Sequence, residues 1–293
     1  MLNYLPNWGV MTNIRMALEQ GLHQLNEGNS DSRLEAEILL CHLLEKNRAY
    51  LFAHSNEEIN PILLEQYQQL INQRAQGVPI AYLTGTREFW SLSLKVNGHT
   101  LIPRHETERL VELTLELVPD LPDTPILDLG TGSGAIALAL ATERPHWNII
   151  ACDYSEEALK IAQENAQDLG ITNVSFYHSN WFSTLPNLRY QAIVSNPPYI
   201  AEYDPHLKQG DLRFEPLSAL ASGQDGLADL QYIIKHSYNC LLPNGLLLLE
   251  HGYDQKIAIR AILNKLGYKN IHCWQDIQGH DRVSGGWSPD STV

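Results

Sequence analysis

Residues 126–141, ILDLGTGSGAIALALA, decide the fold class. A short apolar run is followed at once by closely spaced glycines and then by an Ala/Leu-rich segment. This order predicts a β-strand, a tight turn and a helix, which is the repeating unit of sheets covered by helices on both faces. Glycines let the backbone turn sharply and approach a ligand without a Cβ atom in the way. We therefore predict a ligand site at the carboxyl end of this strand.

The pattern repeats along the chain from about residue 104 onward. Further apolar strands are predicted at 149–152, 174–177, 192–195 and 246–250, and most of them are separated by helical stretches. Apolar strands that alternate with helices form a parallel, doubly wound sheet. The predicted fold class is therefore α/β, with residues 104–293 as the sheet domain.

The preceding residues have two other patterns. Residues 1–77 lack strand patterns and contain helix-start signatures, a capping box at Ser32 and Glu35 and the pair Asn60-Pro61, so they predict a small helical domain. Residues 78–103 alternate between apolar and polar side chains and contain Asn97-Gly98, a sequence typical of hairpin turns. We interpret this segment as a β-hairpin linker between the two domains.

Composition argues against several classes of protein. The chain has 293 residues and a net charge of −14, and residues 1–84 hold five basic and nine acidic side chains. Because no Lys/Arg cluster is present, nucleic acid is not expected as a direct partner. No apolar run is long enough to cross a bilayer and the first residues lack the features of a secretory signal, so we expect a cytoplasmic protein without a membrane partner. The spacing of the four cysteines and twelve histidines fits no metal site.

The glycine-rich turn is the first candidate cofactor site, formed by Gly130, Thr131, Gly132, Ser133 and Gly134. Its GxGxG spacing differs from the GxGxxG pattern of dinucleotide-binding proteins, which argues against NAD. A tight turn with a purely structural role is the alternative interpretation.

Polar and aromatic residues follow the next two strands. Asp153 ends the second strand 23 residues after Gly130, where a carboxylate can accept hydrogen bonds from both hydroxyls of a ribose. A helix cap is the alternative role for Asp153. After the third strand, Trp181 can pack on an adenine ring and the Asn180 amide can bond to its edge, although a core position is a serious alternative for the indole.

The tetrapeptide Asn196-Pro197-Pro198-Tyr199 follows the fourth strand, 62 residues after Gly134. Prolines stiffen the chain and lack competing N–H groups. The Asn196 side-chain oxygen and the Pro197 carbonyl can therefore each accept one hydrogen of a planar NH2 group, while Tyr199 lies against its flat face. An ordinary proline turn at the end of a strand is the alternative.

Two further segments have uncertain roles. His105, Glu106 and Glu108 either line the site or begin a helix, and the helix start is favoured for Glu108. Residues 204–216 form either a loop that covers the substrate or a plain connection.

The sequence resembles the bacterial release-factor glutamine methyltransferases of the HemK/PrmC family, from about Met11 to near the end. The resemblance rests on GVPIAYLTGTREFW (77–90), LIPRHETERLVE (101–112), the glycine-rich turn, NWF (180–182), SNPPYI (195–200), QGDLRFEPLSAL (209–220) and LLLEHG (247–252). Two residues depart from the family pattern, since His105 stands where proline is usual and Asn180 where aspartate is usual. Residues 1–10 have no counterpart, so a natural start at Met11 is expected.

The resemblance implies a Rossmann-like, seven-stranded class I methyltransferase domain with an N-terminal helical domain that helps to dock a partner protein. It implies S-adenosyl-L-methionine as cofactor and S-adenosyl-L-homocysteine as product, without a metal. The implied substrate is the glutamine of the Gly-Gly-Gln motif in class I peptide-chain release factors. Gly130 to Gly134, Asp153, Trp181 and Asn196 would contact the cofactor, and Asn196 to Tyr199 the glutamine. Asn196, Pro197 and Tyr199 are the candidate catalytic residues.

Two alternative functions follow from the same motifs. The NPPY tetrapeptide also occurs in methyltransferases that act on the exocyclic amino group of adenine or guanine, which the acidic composition disfavours. A protein that binds the cofactor as a sensor without catalysis is the second alternative, and the intact tetrapeptide argues against it. We expect the protein to act as a monomer.

Overall fold

The computed structural model of the protein describes residues 12–25 and 31–290. The chain divides into two compact units, residues 1–85 and residues 86–293. The start expected at Met11 lies outside the described residues. Within those residues, no helix combines the length and the apolarity that are needed to span a membrane.

The first unit is helical. Its helices are listed here in chain order: α1 (Ile14–Gln24), α2 (Ser32–Leu44), α3 (Arg48–Ala53), α4 (Pro61–Ala75) and α5 (Ile80–Thr84). Asn60 caps α4 by accepting a hydrogen bond from the Ile62 amide, as its sequence predicts. The predicted capping box at Ser32 is wrong, because Ser32 already lies inside α2 and its hydroxyl donates to the Leu25 carbonyl.

A two-stranded hairpin begins the second unit. Strands β1 (Thr86–Phe89) and β2 (Leu92–Lys95) pair antiparallel, and the turn between them is Trp90-Ser91, with φ values of 53° and 59°. The hairpin turn predicted at Asn97-Gly98 is therefore wrong. The Asn97 side chain instead accepts a hydrogen bond from the His99 amide and forms a local turn after β2.

The large sheet of the second unit has seven strands, which confirms the expected fold class. The strands are β3 (Pro125–Leu129), β4 (Asn148–Asp153), β5 (Val174–His178), β6 (Tyr190–Ser195), β7 (Leu241–Glu250), β8 (Lys269–Gln275) and β9 (Asp281–Trp287). Their order is β5-β4-β3-β6-β7-β9-β8, and β9 pairs antiparallel with both β7 and β8, whereas the pairs from β5 to β7 are parallel. The five parallel strands are those predicted from the apolar runs.

Helices cover both faces of this sheet. They are α6 (Glu108–Leu117), α7 (Ala135–Glu143), α8 (Glu156–Asp168), α9 (Ala228–Cys240) and α10 (Lys256–Lys265). Neighbouring side chains of β3 enter opposite cores, since Ile126 belongs to one buried cluster and Leu127 to the other. This explains why the strand is a continuous apolar run.

The topology places a crevice at the carboxyl end of β3. From β3 the chain moves outward through β4 and β5 and then returns to β6 on the other side of β3. The connections after β3 and β6 therefore leave the sheet in opposite directions, and ligands bind at such switch points in open α/β sheets. The glycine-rich turn follows β3, and the Asn196 tetrapeptide follows β6.

Candidate active site

The glycine-rich turn adopts a backbone that only glycine accepts readily. Gly130, Gly132 and Gly134 have φ values of 73°, 57° and 87°. A Cβ atom on Gly134 would lie 2.9 Å from Leu138 Cδ1 at the start of α7, so this glycine also permits close packing. Thr131 and Ser133 are buried, and the Thr131 hydroxyl donates to Asp128 Oδ2 over 2.7 Å. These two side chains support the turn from behind.

Asp153 connects the end of β4 to the glycine-rich turn. Its Oδ2 accepts a hydrogen bond of 2.8 Å from the Gly132 amide, and its Oδ1 accepts one of 2.9 Å from the Ser155 amide. Burial raises the pKa of this carboxyl, whereas the two amides lower it. Ser155, and not Asp153, caps helix α8. Each carboxylate oxygen keeps acceptor capacity for a ligand hydroxyl, because it can accept more than one hydrogen.

Trp181 lies between the crevice and the core. Its indole N–H donates to Asp229 Oδ1 over 3.1 Å, and the ring packs partly against the buried cluster that contains Leu127. The ring also passes close to Gly130, where a Cβ atom would lie 3.4 Å from it. Trp181 therefore lies at the edge of the core and also in the wall of the crevice. Asn180 is exposed at the same edge.

The segment 195–199 turns sharply at the end of β6. The Ser195 hydroxyl donates to the Leu129 carbonyl over 2.7 Å and joins the carboxyl ends of β6 and β3. Asn196 donates from Nδ2 to Thr107 Oγ1 over 3.1 Å. Because the NH2 end of the Asn196 amide is engaged in this way, its Oδ1 is available as an acceptor. Pro197 and Pro198 are buried.

Tyr199 is fixed from both ends. Its hydroxyl donates to Glu250 Oε1 over 3.3 Å, and its carbonyl accepts a hydrogen bond of 2.9 Å from Gln255 Nε2. Burial and the neighbouring Glu250 raise the pKa of the phenol, so it stays protonated. Gly226 packs beneath this residue, where a Cβ atom would lie 2.2 Å from the Tyr199 carbonyl oxygen.

These elements enclose a cavity of about 450 Å³ in the second unit, a volume within the range of small-molecule sites. Predicted site residues in its wall are Gly130, Gly132, Asp153, Asn180, Trp181, Asn196 and Pro198. Thr131, Ser133, Gly134, Pro197 and Tyr199 are not in the wall and support it from behind or beside. In the described part of the chain, no group of three or more His, Cys, Asp or Glu side chains is arranged to hold a metal ion.

The two uncertain segments flank this cavity. Glu108 begins α6, and its Oε1 accepts a hydrogen bond of 3.0 Å from the Trp90 amide, so it does not face the cavity as a free acid. His105 is exposed. Residues 205–214 form two short 3-10 turns, and Glu215 at the end of this loop is buried and paired with Arg104.

Three residues near the site were not singled out from the sequence. Thr107 contacts Asn196, Glu250 contacts Tyr199, and Asp229 contacts Trp181. For Glu250 the sequence does contain an indication, since a carboxylate at the end of an apolar strand beside the strand of Asn196 is unusual. Thr107 and Asp229 lie at helix starts, where their residue types are common and attract no attention.

Comparisons with known proteins place both units in known families. Residues 16–85 match the model of the PrmC N-terminal domain, and residues 107–210 match the model of the methyltransferase small domain. The release factor glutamine methyltransferase of Vibrio cholerae is 50% identical over 275 residues, which are 93% of this chain and 96% of the relative. The enzyme of the same name from Escherichia coli K12 is 47% identical over 269 residues, which are 92% of this chain and 96% of the relative.

Solved structures are similar in fold. A methyltransferase from Pyrococcus furiosus is 17% identical, with a TM-score of 0.52 over 76% of this chain and 98% of that one. The hMettl16 catalytic domain, solved with the MAT2A 3′UTR hairpin 6, is 16% identical, with a TM-score of 0.53 over 76% of this chain and 82% of that one. At these identities the likeness shows the fold alone.

Proposed function

Because the chain belongs to the release factor glutamine methyltransferases, we propose that it methylates the side-chain amide nitrogen of the glutamine in the Gly-Gly-Gln motif of class I peptide-chain release factors. The methyl donor is S-adenosyl-L-methionine, and the product is S-adenosyl-L-homocysteine. We further propose that the helical domain 1–77 docks the release factor, that residues 78–103 link it to the catalytic domain 104–293, and that the enzyme acts as a cytoplasmic monomer.

The cavity fits this cofactor. The glycine-rich turn presents backbone with no Cβ atoms beside the crevice, and Asp153 provides carboxylate oxygens at the end of β4. Gly130, Gly132, Asp153 and Trp181 would hold the cofactor, with Asp153 suited to ribose hydroxyls and the indole to the adenine ring. When bound, S-adenosyl-L-methionine supplies an electrophilic methyl group on a sulfonium.

The chain's own groups orient the acceptor. An amide nitrogen is a weak nucleophile because its lone pair is delocalised into the carbonyl. Asn196 Oδ1 and the Pro197 carbonyl would accept the two NH2 hydrogens and align the nitrogen with the methyl carbon and sulfur, an alignment worth several orders of magnitude in rate. As positive charge develops on the nitrogen, both hydrogen bonds strengthen and stabilise the transition state selectively. The methylated nitrogen would release one proton to water, while the sulfur is left as a neutral thioether.

The observation that carries the proposal is the orientation of Asn196. Its Nδ2 is held by Thr107, which leaves the oxygen as an acceptor at a corner that also contributes to the cavity wall. Together with the Pro197 carbonyl it would provide two acceptors, which suits the two hydrogens of an NH2 group, whereas a hydroxyl has one hydrogen to donate and a thiolate has none.

The direct test is methyl transfer from labelled cofactor to a purified class I release factor. We expect label in the wild-type factor and none in a factor whose Gly-Gly-Gln glutamine is changed to asparagine, because the shorter side chain does not reach the same position. Duplex DNA and rRNA serve as competing substrates in parallel reactions. Transfer to nucleic acid in place of the factor, or equal labelling of the asparagine factor, would contradict the proposal.

A further inference from the structure

A chain of polar groups lies directly beneath the proposed substrate corner. Asn196 donates to Thr107 Oγ1, and the Tyr199 hydroxyl donates to Glu250 Oε1. The Thr107 hydroxyl also lowers the pKa of the Glu250 carboxyl, and this interaction relates the two halves although it is not a well-formed hydrogen bond. Thr107 is 4% and Glu250 is 1% exposed, so water does not compete for these groups. The chain therefore connects both ends of the tetrapeptide to one buried carboxyl.

Thr107 contacts a distant segment of the chain and not its own helix. It is the last residue of a short 3-10 helix (His105–Thr107) that leads directly into α6, and its backbone is helical, so it does not have the extended conformation of a capping threonine. Here the side chain makes no capping bond. Its hydroxyl instead accepts the hydrogen bond from Asn196, which lies 89 residues away along the chain.

The carboxylate sets the direction of every hydrogen bond in the chain. An ionised Glu250 only accepts, so the Thr107 hydrogen points to it and the Thr107 oxygen accepts from Asn196 Nδ2. The Asn196 oxygen then faces away from Thr107. If the Asn196 amide turned over, its NH2 group would meet the NH2 group of the substrate, and neither could accept.

We propose that Thr107 and Glu250 are positioning residues that hold the Asn196 amide and the Tyr199 ring in the orientation that glutamine methylation requires. This inference rests on the proposed function, because it concerns how the same site reaches its turnover number. Neither residue contacts the substrate. Both act through the tetrapeptide, so their loss reduces kcat and leaves cofactor affinity unchanged.

The protonation of Glu250 adds a pH dependence to this arrangement. Burial raises its pKa to about 7, against the interaction with Thr107, the charge of Arg282 and the hydrogen bond from Tyr199, while Glu106 adds to the increase. A protonated Glu250 can itself donate to Thr107, and the Thr107 hydrogen is then free to point to Asn196. Turnover is therefore expected to fall as the pH decreases through about 7.

Three variants of Thr107 and its helix test the inference, each assayed with a purified release factor as the methyl acceptor. Thr107→Val keeps the shape and removes the hydroxyl, and we expect kcat to fall by about tenfold or more, as for a lost buried hydrogen bond. Thr107→Ser keeps the hydroxyl and should stay close to the wild type. Thr114→Val is the matched control, because Thr114 is a buried threonine of α6 whose hydroxyl donates only to the Leu110 carbonyl. Binding of S-adenosyl-L-homocysteine should be the same in all three.

Glu250→Gln and Tyr199→Phe provide a second route that does not depend on Thr107. Glu250→Gln should lower kcat at pH 8 and abolish the decline of the wild-type profile near pH 7. Tyr199→Phe removes the other donor to Glu250 and should lower kcat less than Asn196→Ala does.

The possible outcomes distinguish a failure of this inference from a failure of the proposed function. If the wild type methylates the release factor and Thr107→Val keeps its kcat, this inference is wrong and the proposed function stands. Equal losses in Thr107→Ser and Thr107→Val would also overturn it, since they would indicate packing and not the hydroxyl. A wild type that leaves the release-factor glutamine unmodified overturns both.

Discussion

At the scale of single residues, two buried carboxyl groups lie at the carboxyl ends of strands in the sheet. Burial raises the pKa of Asp128 and the pKa of Glu250 to about 7 each. Asp128 Oδ1 and Glu250 Oε2 have no well-formed hydrogen bond within the described residues. A carboxyl with a raised pKa stabilises the folded state while it is protonated, and this stabilisation is lost as the pH rises.

The free energy of unfolding should therefore decrease as the pH rises. For Glu250 the loss extends from the usual pKa of 4.5 to the folded value of about 7. Between pH 5 and pH 8 the wild type should lose on the order of 2 kcal/mol of unfolding free energy through this group. The Glu250→Gln variant should not show this decrease in unfolding free energy. Urea unfolding of both proteins at pH 5 and at pH 8 measures the difference. A variant that loses as much as the wild type would show that Glu250 is ionised in the folded state throughout this range.

Asn196 is the residue on which proposed catalysis depends most. Asn196→Ala removes the acceptor oxygen and the bond to Thr107, so we expect the turnover number to fall by about a hundredfold or more, as for the loss of a group that stabilises developing charge. Affinity for S-adenosyl-L-homocysteine should change little, because Asp153 and the glycine-rich turn remain. Isothermal titration with the product and single-turnover methylation separate the two quantities. An unchanged turnover number would contradict the assignment of Asn196.

At the scale of elements, the hairpin β1–β2 contains an unfavourable turn. Trp90 and Ser91 both have positive φ values, which non-glycine residues adopt at a cost of about 1 kcal/mol each. The backbone cost at Trp90 is offset, because its ring packs on the core and its indole N–H donates to Glu143 Oε1 over 2.8 Å. Ser91 is exposed and gains nothing comparable from its side chain.

Ser91→Gly should therefore raise the thermal unfolding midpoint by a few degrees, since it relieves about 1 kcal/mol of backbone strain. Ser93→Gly is the matched control, because Ser93 is an exposed serine in β2 without a positive φ and should lose stability on the same change. Differential scanning calorimetry of both variants measures the effect. A lower midpoint for Ser91→Gly than for the wild type would refute the strain argument.

The elements also show which structural features a sequence pattern can predict. The five parallel strands are predictable because they are buried on both faces and appear as continuous apolar runs. Strand β8 is partly exposed, whereas β9 is largely buried and contains Gly285, where a Cβ atom would lie 2.3 Å from the Leu247 carbonyl oxygen. The close approach of the two backbones requires glycine at this position. Because glycine normally argues against a strand, the sequence pattern does not predict β9. The hairpin turn is not predictable either, because Trp90-Ser91 contains none of the residue types that usually form such turns.

Some residues of the candidate site are also predictable from the sequence and others are not. Asp153 and the tetrapeptide at Asn196 are predictable because each lies within a local motif that follows a strand. The contacts of Thr107 and Glu250 are not, because their partners Asn196 and Tyr199 lie 89 and 51 residues away along the chain, although the carboxylate at the end of an apolar strand marks Glu250 as unusual. Contacts of this kind depend on how the strands are ordered in the sheet, which local patterns do not encode.

At the scale of the whole molecule, the two compact units suggest separate tasks. If residues 1–77 dock the release factor, as proposed, the fragment 86–293 should still bind S-adenosyl-L-homocysteine and methylate a short Gly-Gly-Gln peptide at the rate of the full chain. Its rate on an intact release factor should fall by about tenfold or more at low substrate concentration, because the second contact surface is missing. Parallel kcat/KM measurements on peptide and factor test this. Equal loss on both substrates would show that the first unit has another role.

Strand β9 is the last of the strands that the structure describes, yet it lies inside the sheet between β7 and β8. Its pairing with β7 places Val283 beside Glu250, the residue that closes the polar chain under the active corner. Without β9, β7 would have an open edge and Glu250 would lose this neighbour. Strand β9 contributes no residue to the cavity wall, yet the surroundings of Glu250 depend on it.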